Sequence, residues 1–138
     1  PWSRDAFKGE ILQNDFARYI VAVSDNAVIG YGGMWIILDE AHITNVAVRP
    51  DLRGRSIGKV LMMEIIRQAV MKGANSMTLE VRPSNKPARK LYHSLGFKER
   101  GLRKRYYSDT NEDAIIMWKE LLPARDFKSL PSGKYMLR

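Results

Sequence analysis

The chain has 138 residues, 45% apolar and 28% charged, which suits one domain with a packed core and excludes a disordered segment. It contains no cysteine and two histidines, which excludes disulfides and Cys-ligated metal and argues against a His-rich metal site. Its net charge is +8, carried by residues 41–138, which indicates a polyanionic ligand, either nucleic acid or a phosphorylated cofactor, with a merely solvated basic surface as the alternative. No apolar run approaches the roughly 18 residues that cross a bilayer, and no signal-peptide pattern opens the chain, so we expect a soluble, cytoplasmic domain without metal.

The first part of the chain predicts a helix followed by an antiparallel meander. Residues 3–14 have the apolar spacing of an amphipathic helix. Three strands rich in β-branched and aromatic residues follow, over residues 18–24, 27–37 and 41–49. The second of these strands contains three glycines, which predict a β-bulge or a close approach of neighbouring backbone: Gly30, Gly32 and Gly33.

Helices and strands alternate in the second part of the chain. The predicted elements are a helix over 56–71, a strand over 75–82, a helix from Ser84 or Asn85 to 95, and strands over 97–106 and 114–121. The strand–helix–strand segment from 41 to 82 requires a parallel pair with a right-handed crossover, inside an otherwise antiparallel sheet. The fold class is therefore mixed α/β (α+β), with one domain over residues 1–122 and a tail over residues 123–138.

The most specific local feature is the loop that joins the third strand to the next helix. A helix start offers free N–H groups and a positive dipole end, and Gly54 and Gly58 let a ligand approach the backbone closely. Three cations lie in the same loop: Arg53, Arg55 and Lys59. The pattern predicts a pyrophosphate site, with an ordinary strand-to-helix turn as the alternative, and it is neither a P-loop nor a GxGxxG fingerprint.

The segment Arg53-Gly54-Arg55-Ser56-Ile57-Gly58 resembles motif A of the GNAT superfamily of acetyl-CoA-dependent N-acetyltransferases, whose pattern is [Q/R]-x-x-G-x-[G/A]. Ser56 stands where the motif has its middle glycine. A serine keeps the backbone donor and can cap the helix, so cofactor binding is expected to survive this change. The resemblance implies acetyl-CoA as cosubstrate and a sheet whose parallel strand pair splays apart.

Two later segments extend the likeness. Residues 78–97 resemble the second conserved block of the same superfamily, and Arg105-Tyr106-Tyr107 with residues 112–117 resembles the C-terminal signature of the ribosomal-protein-alanine N-acetyltransferases, the RimI type. The likeness covers residues 1 to about 122. It implies that the first strand and the start of the first helix of that family are missing here.

The resemblance also implies a cofactor site. The backbone of the third strand would bind pantetheine, and the Val46 N–H would face the thioester oxygen, a contact worth about 3 kcal/mol of barrier. Asn85 would bind the pantetheine amides. The implied cofactor-binding residues are Val46, Ala47, Val48, Arg53, Gly54, Arg55, Ser56, Ile57, Gly58, Lys59 and Asn85. Core packing for the two valines and helix capping for Asn85 remain open as simpler roles.

Two residues are the implied catalytic groups. Glu80 would act as general base, taking the proton of a peptide α-amine through an ordered water, and Tyr92 would act as general acid toward the departing thiolate. An exposed strand residue and a core aromatic are the simpler interpretations of this pair. Neither histidine, His42 in a strand or His93 on a helix, has a Ser–His–Asp arrangement nearby in the sequence. The resemblance implies direct transfer in a ternary complex, which needs no acyl-enzyme nucleophile, and none is evident in the sequence.

The implied substrate is the N-terminal alanine of small-subunit ribosomal protein eighteen. Tyr106 and Tyr107 would line the peptide channel, although with the basic residues of 98–105 they also match a nucleic-acid patch, and we expect no stable nucleic-acid binding. Four acidic residues are expected on the peptide side: Glu10, Asp15, Asp39 and Glu40. A relaxed Nα- or lysine acetyltransferase and a non-catalytic RNA- or ribosome-binding module remain as alternative functions.

Overall fold

A computed structural model describes residues 17–109 and 111–121 of the chain. The helix predicted over residues 3–14 and the tail predicted over residues 123–138 lie outside the described residues. Among the helices that are described, none is long and apolar enough to span a membrane.

Six strands and two helices follow the predicted order, and each boundary lies within two residues of its prediction. The elements are β1 (Ala17–Ser24), β2 (Ala27–Ile37), β3 (Glu40–Val48), α1 (Ile57–Met71), β4 (Ser76–Val81), α2 (Lys86–Ser94), β5 (Lys98–Tyr107) and β6 (Glu112–Glu120). A short 3-10 turn, Pro50–Leu52, precedes the loop that enters α1. Asp25 and Asn26, with φ of 50° and 63°, form the tight turn between β1 and β2, as hairpin turns with two left-handed residues require.

The strands form one mixed sheet in the order β1-β2-β3-β4-β6-β5. Every neighbouring pair is antiparallel except β3 and β4, which confirms the predicted crossover through α1. The parallel ladder is short. It joins Glu40 to Ser76, Ala41 to Met77 and His42 to Thr78, and beyond these three pairs β3 stays with β2 while β4 stays with β6. The two strands therefore diverge toward their carboxyl ends.

The helix α1 packs against β1, β2 and β3 on one face of the sheet and contributes six buried residues to the core. The inward residues of β4, a strand that alternates between buried and partly exposed positions, belong to the same core cluster. The buried residues of α1 are Leu61, Met62, Ile65, Ile66, Ala69 and Val70. Each large apolar side chain in such a core contributes about 1.5–3 kcal/mol relative to an exposed one.

The glycines of β2 allow this close packing of α1. A Cβ atom at Gly32 would lie 2.5 Å from Cδ1 of Ile65, and one at Gly30 would lie 3.0 Å from both the Ala47 carbonyl oxygen and Leu61 Cδ1. The register between β2 and β3 also shifts after Gly33. The close approach predicted for these glycines is confirmed, whereas the extra residue of this register shift is Thr44 of β3 and not a glycine of β2.

Candidate active site

The backbone of β3 offers donors and acceptors to the space that opens beside β4. The Arg49 N–H donates to the Ile29 carbonyl of β2 at 2.8 Å, and Ala47 pairs with Tyr31 two residues earlier. Because alternate residues of a strand direct their backbone groups to opposite sides, Val46 and Val48 direct theirs away from β2. They open into the gap left by the divergence of β4, as the predicted pantetheine site requires.

The loop that follows β3 carries exposed positive charge. We call residues 53–59, which comprise the end of this loop and the first residues of α1, the phosphate loop, after the pyrophosphate site that the sequence predicts there. Among the described residues, none of its cations, Arg53, Arg55 and Lys59, forms an ion pair within 4 Å. By contrast, the neighbouring Arg49 binds Asp51 through two hydrogen bonds of 2.8 and 2.7 Å. The cations of the phosphate loop are thus available to an external anion.

The start of α1 adds backbone donors to the phosphate loop. The first hydrogen bond of the helix runs from the Val60 N–H to the Ser56 carbonyl at 3.1 Å. The N–H groups of Ile57, Gly58 and Lys59 precede it and have no acceptor within the helix, as in any first helical turn. A phosphate at this end would accept from them and would also benefit from the helix dipole.

Ser56 occupies the N-cap position of α1, but the expected side-chain cap is wrong. Its φ and ψ are 63° and 14°, in the left-handed region, and its side chain makes no capping hydrogen bond. A capping hydroxyl reaches the N2 or N3 amide from β-region dihedrals, which this turn does not allow. The left-handed conformation is the one that glycine adopts at least cost, which accounts for the glycine of the motif at this position.

The first helix lies close to both the second helix and β3 at Gly58. A Cβ atom there would lie 3.5 Å from Leu91 of α2 and 3.9 Å from Val48. The side-chain oxygen of Asn85 caps α2 by accepting from the Ala88 N–H at 3.3 Å. The simpler role proposed for Asn85, helix capping, is therefore present. Within residues 17–109 and 111–121, the side-chain NH2 group of Asn85 makes no hydrogen bond of its own, and its contact with pantetheine stays a prediction.

Tyr92 lies on α2, where its ring packs edge-on against Phe97 with the ring centroids 5.9 Å apart. Tyr92 is partly buried and packs against the core, as expected for its simpler interpretation as a core aromatic. Burial, together with the nearby Tyr107, raises the pKa of Tyr92 to about 12. The phenol therefore keeps its proton at neutral pH and can donate a hydrogen bond.

Glu80 lies on the face of β4 opposite the core and is bound at both carboxylate oxygens. Its Oε2 lies 2.5 Å from Nε2 of His42, and its Oε1 accepts from Arg103 at 3.1 Å. Its side chain is 9% exposed. Burial raises the pKa of Glu80, but the hydrogen bond and charge of His42 together with Arg103 outweigh this, so the pKa lies below its ordinary value of 4.5. Glu80 is therefore ionised at neutral pH.

His42 and Arg103 are partners of Glu80 that the sequence pattern did not single out. The hydrogen bond to Glu80 raises the pKa of His42 above 6.5, against the opposing effect of burial. The signal for His42 lies in the alternation of β3, where Ala41 and Ile43 are buried and His42 faces the other way. Only the register of β3 on β4 shows that this face is shared with Glu80.

The two predicted substrate tyrosines lie beside Glu80. The Arg82 guanidinium stacks over the Tyr107 ring, with its Cζ 4.2 Å from the ring centroid. The rings of Tyr107 and Tyr106 meet edge-on, with their centroids 5.0 Å apart. Arg103 lies 4.9 Å from the centroid of the Tyr106 ring. Burial raises the pKa of Tyr107, and the charge of Glu80 is close enough to raise it further. We call the set His42, Glu80, Arg103, Tyr106 and Tyr107 the Glu80 cluster.

A groove of about 770 Å³ opens next to the Glu80 cluster on the face of β4 opposite the core. Its lining residues are Trp35, Ile37, Leu38, Asp39, Glu40, His42, Thr44, Thr78, Glu80 and Ile116. Asp39 and Glu40, two of the acidic residues expected on the peptide side, both line this groove, and their role toward a peptide stays a prediction. The other two acidic residues expected there, Glu10 and Asp15, lie outside the described residues.

A model of the acetyltransferase (GNAT) family matches residues 1–97, and the chain belongs to this family. The fold agrees with it. The crystal structure of the ribosomal-protein-S18-alanine N-acetyltransferase from Escherichia coli superposes with a TM-score of 0.77 at 31% identity, covering 99% of this chain and 83% of that one.

The sequence relatives are more specific about the branch of the family. The [ribosomal protein bS18]-alanine N-acetyltransferase of Salmonella typhimurium is 38% identical over 121 residues, which covers 85% of this chain and 79% of that protein. A Bacillus subtilis protein, whose name assigns it provisionally to the same activity, is 45% identical over 118 residues, covering 86% of this chain and 78% of that protein. The predicted resemblance is thereby confirmed.

Proposed function

We propose that the chain is an N-terminal protein acetyltransferase that moves the acetyl group of acetyl-CoA to the α-amine of the N-terminal alanine of ribosomal protein bS18. The observation that carries this proposal is the divergence of β3 from β4, which leaves Val46 and Val48 without a ladder partner on the β4 side. Membership of the GNAT family supports the chemistry. The names of the relatives support the choice of substrate.

Acetyl-CoA would lie along β3 with its phosphates at the phosphate loop. Backbone N–H groups at the start of α1, together with Arg53, Arg55 and Lys59, supply donors and charge for a pyrophosphate. The backbone of Val46 and Val48 would bind pantetheine, with the Val46 N–H donating to the thioester oxygen as negative charge develops there. One such donor is worth about 3 kcal/mol of barrier. The amide of Asn85 is well placed on the N-terminus of α2 to bind the pantetheine arm.

The peptide would enter through the groove beside the Glu80 cluster. Asp39 and Glu40 give the groove an acidic rim, which suits a basic N-terminal segment. Such segments are expected in ribosomal proteins, because they bind RNA phosphates. Tyr106 and Tyr107 would flank the peptide next to Glu80, where the amine must lose its proton.

Direct transfer requires one bond to form and one to break. The α-amine nitrogen attacks the thioester carbon, the C–N bond forms, the C–S bond breaks, and the thiolate takes a proton. Glu80 provides the negative charge that draws a proton from the amine. Tyr92 remains protonated and donates its hydrogen bond to the sulfur, because its pKa is raised to about 12.

The test measures thiol release from acetyl-CoA with three peptides: one with the N-terminus of bS18, one with a different N-terminus, and one with a blocked N-terminus and an internal lysine. We expect turnover on the first alone. Glu80→Gln should lower kcat about 10²–10⁴-fold, and Tyr92→Phe about 10-fold or more, since general acid–base groups contribute on this scale. Acetyl-CoA binding, measured by calorimetry, should persist in both variants.

The other outcomes separate the alternative functions. Comparable turnover on all three peptides would replace the narrow substrate with relaxed Nα and lysine acetylation. Acetyl-CoA binding without turnover on any peptide would contradict the proposal. Salt-dependent RNA binding in that same protein would then support a binding module, because phosphate contacts are lost as salt rises.

A further inference from the structure

The basic residues that follow Asn85 fall into two groups in the fold. Residues 86–105 hold eight Lys or Arg side chains against one Glu, a net charge of +7 in a chain whose net charge is +8. In the second half of β5, Arg103 pairs with Glu80 at 3.1 Å and Lys104 pairs with Asp113 at 3.4 Å. The positive charge on α2 and at the start of β5 lies outside these two pairs.

Two lysines of α2 line a cavity of about 450 Å³ that is separate from the peptide groove. Glu99 of β5 and Met117 of β6 also line this cavity. Arg89 pairs with Glu99 at 3.1 Å and so neutralises the acidic residue of the lining. Lys86 and Lys90 are exposed, and neither has a carboxylate within 4 Å in the part of the chain that the structure describes.

Two further cations lie on the other face of the sheet, at the start of β5. Lys98 pairs with Trp118 in the register of β5 on β6, next to Met117, which is buried in the core. Because alternate residues of a strand face opposite sides, Trp118 and Lys98 face away from the core. The guanidinium carbon of Arg100 lies 4.6 Å from the centroid of the Trp118 ring, on the same face. Within residues 17–109 and 111–121, neither Lys98 nor Arg100 forms an ion pair.

These four side chains form one exposed basic surface around the end of the sheet. We call Lys86, Lys90, Lys98 and Arg100 the basic edge, because β5 is the last strand of the sheet and the four cations lie on both sides of it. Side chains of this kind contribute to binding when an anion pairs with several of them at once. The basic edge therefore suits an extended polyanion better than a single small anion.

The composition of the surface favours nucleic acid over a protein partner. The large apolar side chains that are exposed among the described residues lie elsewhere, and none belongs to α2 or to residues 98–100. Interfaces between proteins depend on a buried apolar centre, whereas interfaces with nucleic acid are polar and strongly positive. A second copy of the chain is disfavoured as a partner along β5, because like charges would face each other.

The outer part of the basic edge lies on the face of the sheet that carries the peptide groove. Trp118 pairs with Lys98 on one side and with Thr78 of β4 on the other, and Thr78 lines the groove. Neighbouring strands are about 4.8 Å apart, so the backbones of Lys98 and Thr78 are separated by about 10 Å across the sheet. A polyanion on the basic edge would therefore lie close to a peptide in the groove.

We propose that the basic edge binds the phosphate backbone of RNA and holds the enzyme beside a substrate whose N-terminus enters the groove. The choice of RNA rests on the proposed function, because RNA is the polyanion that ribosomal proteins bind. Phosphate contacts carry no sequence information, so binding is expected to be independent of RNA sequence. This proposal differs from the expectation of no stable nucleic-acid binding, which treated the basic residues of 98–105 as one group with Tyr106 and Tyr107.

The experiment measures the affinity of the full chain for a short labelled RNA hairpin by fluorescence anisotropy, as a function of salt. Saturating CoA is present throughout, so that the phosphate loop is occupied. The logarithm of the association constant should fall linearly with the logarithm of the salt concentration, with a slope of about −2 to −4, since each phosphate contact releases about one counterion.

Two double variants with the same change in net charge locate the RNA. Lys90→Glu/Lys98→Glu removes one cation from each side of β5 and should weaken RNA binding about 10-fold or more and reduce the salt slope by about 2. Arg67→Glu/Lys72→Glu reverses two exposed cations on and just after α1 and should stay within about threefold of wild type. Circular dichroism should show both variants folded, because all four side chains are exposed.

Several results would overturn the proposal. These are the absence of RNA binding at about 50 mM salt, loss of binding when CoA is added, and an equal loss of affinity in the two double variants. Competition by polyglutamate as effective as that by unlabelled RNA would assign the surface to an acidic protein instead.

Failure of the proposed function is distinguishable from failure of this inference, because RNA binding is measured without turnover. Lys90→Glu/Lys98→Glu should acetylate a free peptide with kcat and KM within about twofold of wild type, since exposed charges outside the site contribute little. Turnover without RNA binding would overturn the inference alone. RNA binding at the basic edge without turnover on any peptide would contradict the proposed function and support the surface.

Discussion

The phosphate loop and the Glu80 cluster handle charge in opposite ways. Among the described residues, the cations of the phosphate loop have no carboxylate partner within 4 Å, and they stand in solvent around unsatisfied backbone donors. In the Glu80 cluster, the carboxylate is largely buried and each of its oxygens is matched by a donor from a different strand. The positive charge of the phosphate loop is suited to pairing with an external anion, whereas the negative charge of Glu80 is already paired within the protein. Salt should therefore weaken the first and leave the second nearly unchanged.

Reversing two charges in the phosphate loop should have the largest effect on cofactor binding. Arg53→Glu/Arg55→Glu is expected to raise the KM for acetyl-CoA about 10–100-fold with little change in the pH profile of kcat, because each exposed cation contributes through charge-assisted contacts to phosphate. The effect should shrink at high salt. Lys72→Glu/Lys90→Glu makes the same change in net charge elsewhere and should leave this KM within about twofold. An equal rise of the KM in both double variants would show that the overall positive field of the protein attracts acetyl-CoA, rather than a specific phosphate site in this loop.

The acidic rim of the groove should matter for the peptide and not for the cofactor. Glu40→Lys is expected to raise the KM for a basic N-terminal peptide about 3–10-fold, with Glu40→Gln in between, since exposed charge pairs are individually weak. Glu40 also raises the pKa of His42, so the comparison belongs at a pH above the titration of that histidine. An unchanged KM for the peptide in Glu40→Lys would show that the acidic rim takes no part in peptide binding.

The pairing of His42 with Glu80 should leave a mark on the pH dependence of stability. The raised pKa of His42 contributes stability that is present below pH 6.5 and is lost as pH rises through its folded-state pKa. The lowered pKa of Glu80 contributes stability above pH 4.5 that is lost as pH falls through its folded-state pKa. Urea unfolding of wild type and His42→Gln should therefore differ most between pH 4.5 and 6.5. The difference should stay below about 1 kcal/mol because the histidine is partly exposed, and a difference that is flat from pH 4 to 9 would contradict the pairing.

The smallest effect is expected at Ser56. Ser56→Gly should change the free energy of unfolding by about 0 to +1 kcal/mol, because relief of a left-handed residue is offset by the greater freedom of glycine in the unfolded chain. Ser56→Ala should match wild type, since the serine side chain makes no cap. Thermal unfolding measures both. A loss of about 1 kcal/mol in the alanine variant would indicate a capping role for the hydroxyl.

These two regions also differ in how far the sequence predicts them. The phosphate loop is defined by consecutive segments of the chain: a strand, a run of Arg and Gly, and then a helix. Sequence patterns predict such consecutive segments directly. Even there, the left-handed turn at Ser56 was missed, because a serine in sequence suggests a cap before it suggests a strained turn. The alternation of β4 likewise placed Glu80 opposite the core.

The partners of Glu80 could not be read from local order. His42 is 38 residues from Glu80 and Arg103 is 23, so their contacts depend on the register of β3 on β4 and on β5 lying beyond β6. Strand order and register are set by tertiary packing and not by periodicity. The family resemblance supplied a role for Glu80, but it gave no reason to pair that residue with a histidine.

The short parallel ladder divides the sheet into two blocks. The strands β1, β2 and β3 form one continuous antiparallel unit, and β4, β6 and β5 form another. The two units are joined by three residue pairs and by a shared apolar core. Proteins open in such contiguous cooperative units. Amide hydrogens of each block should therefore exchange together as one unit. The parallel ladder between β3 and β4, which ends at His42 and Thr78, should open first. A ligand that contacts both blocks would stabilise them against opening and slow the amide hydrogen exchange of both.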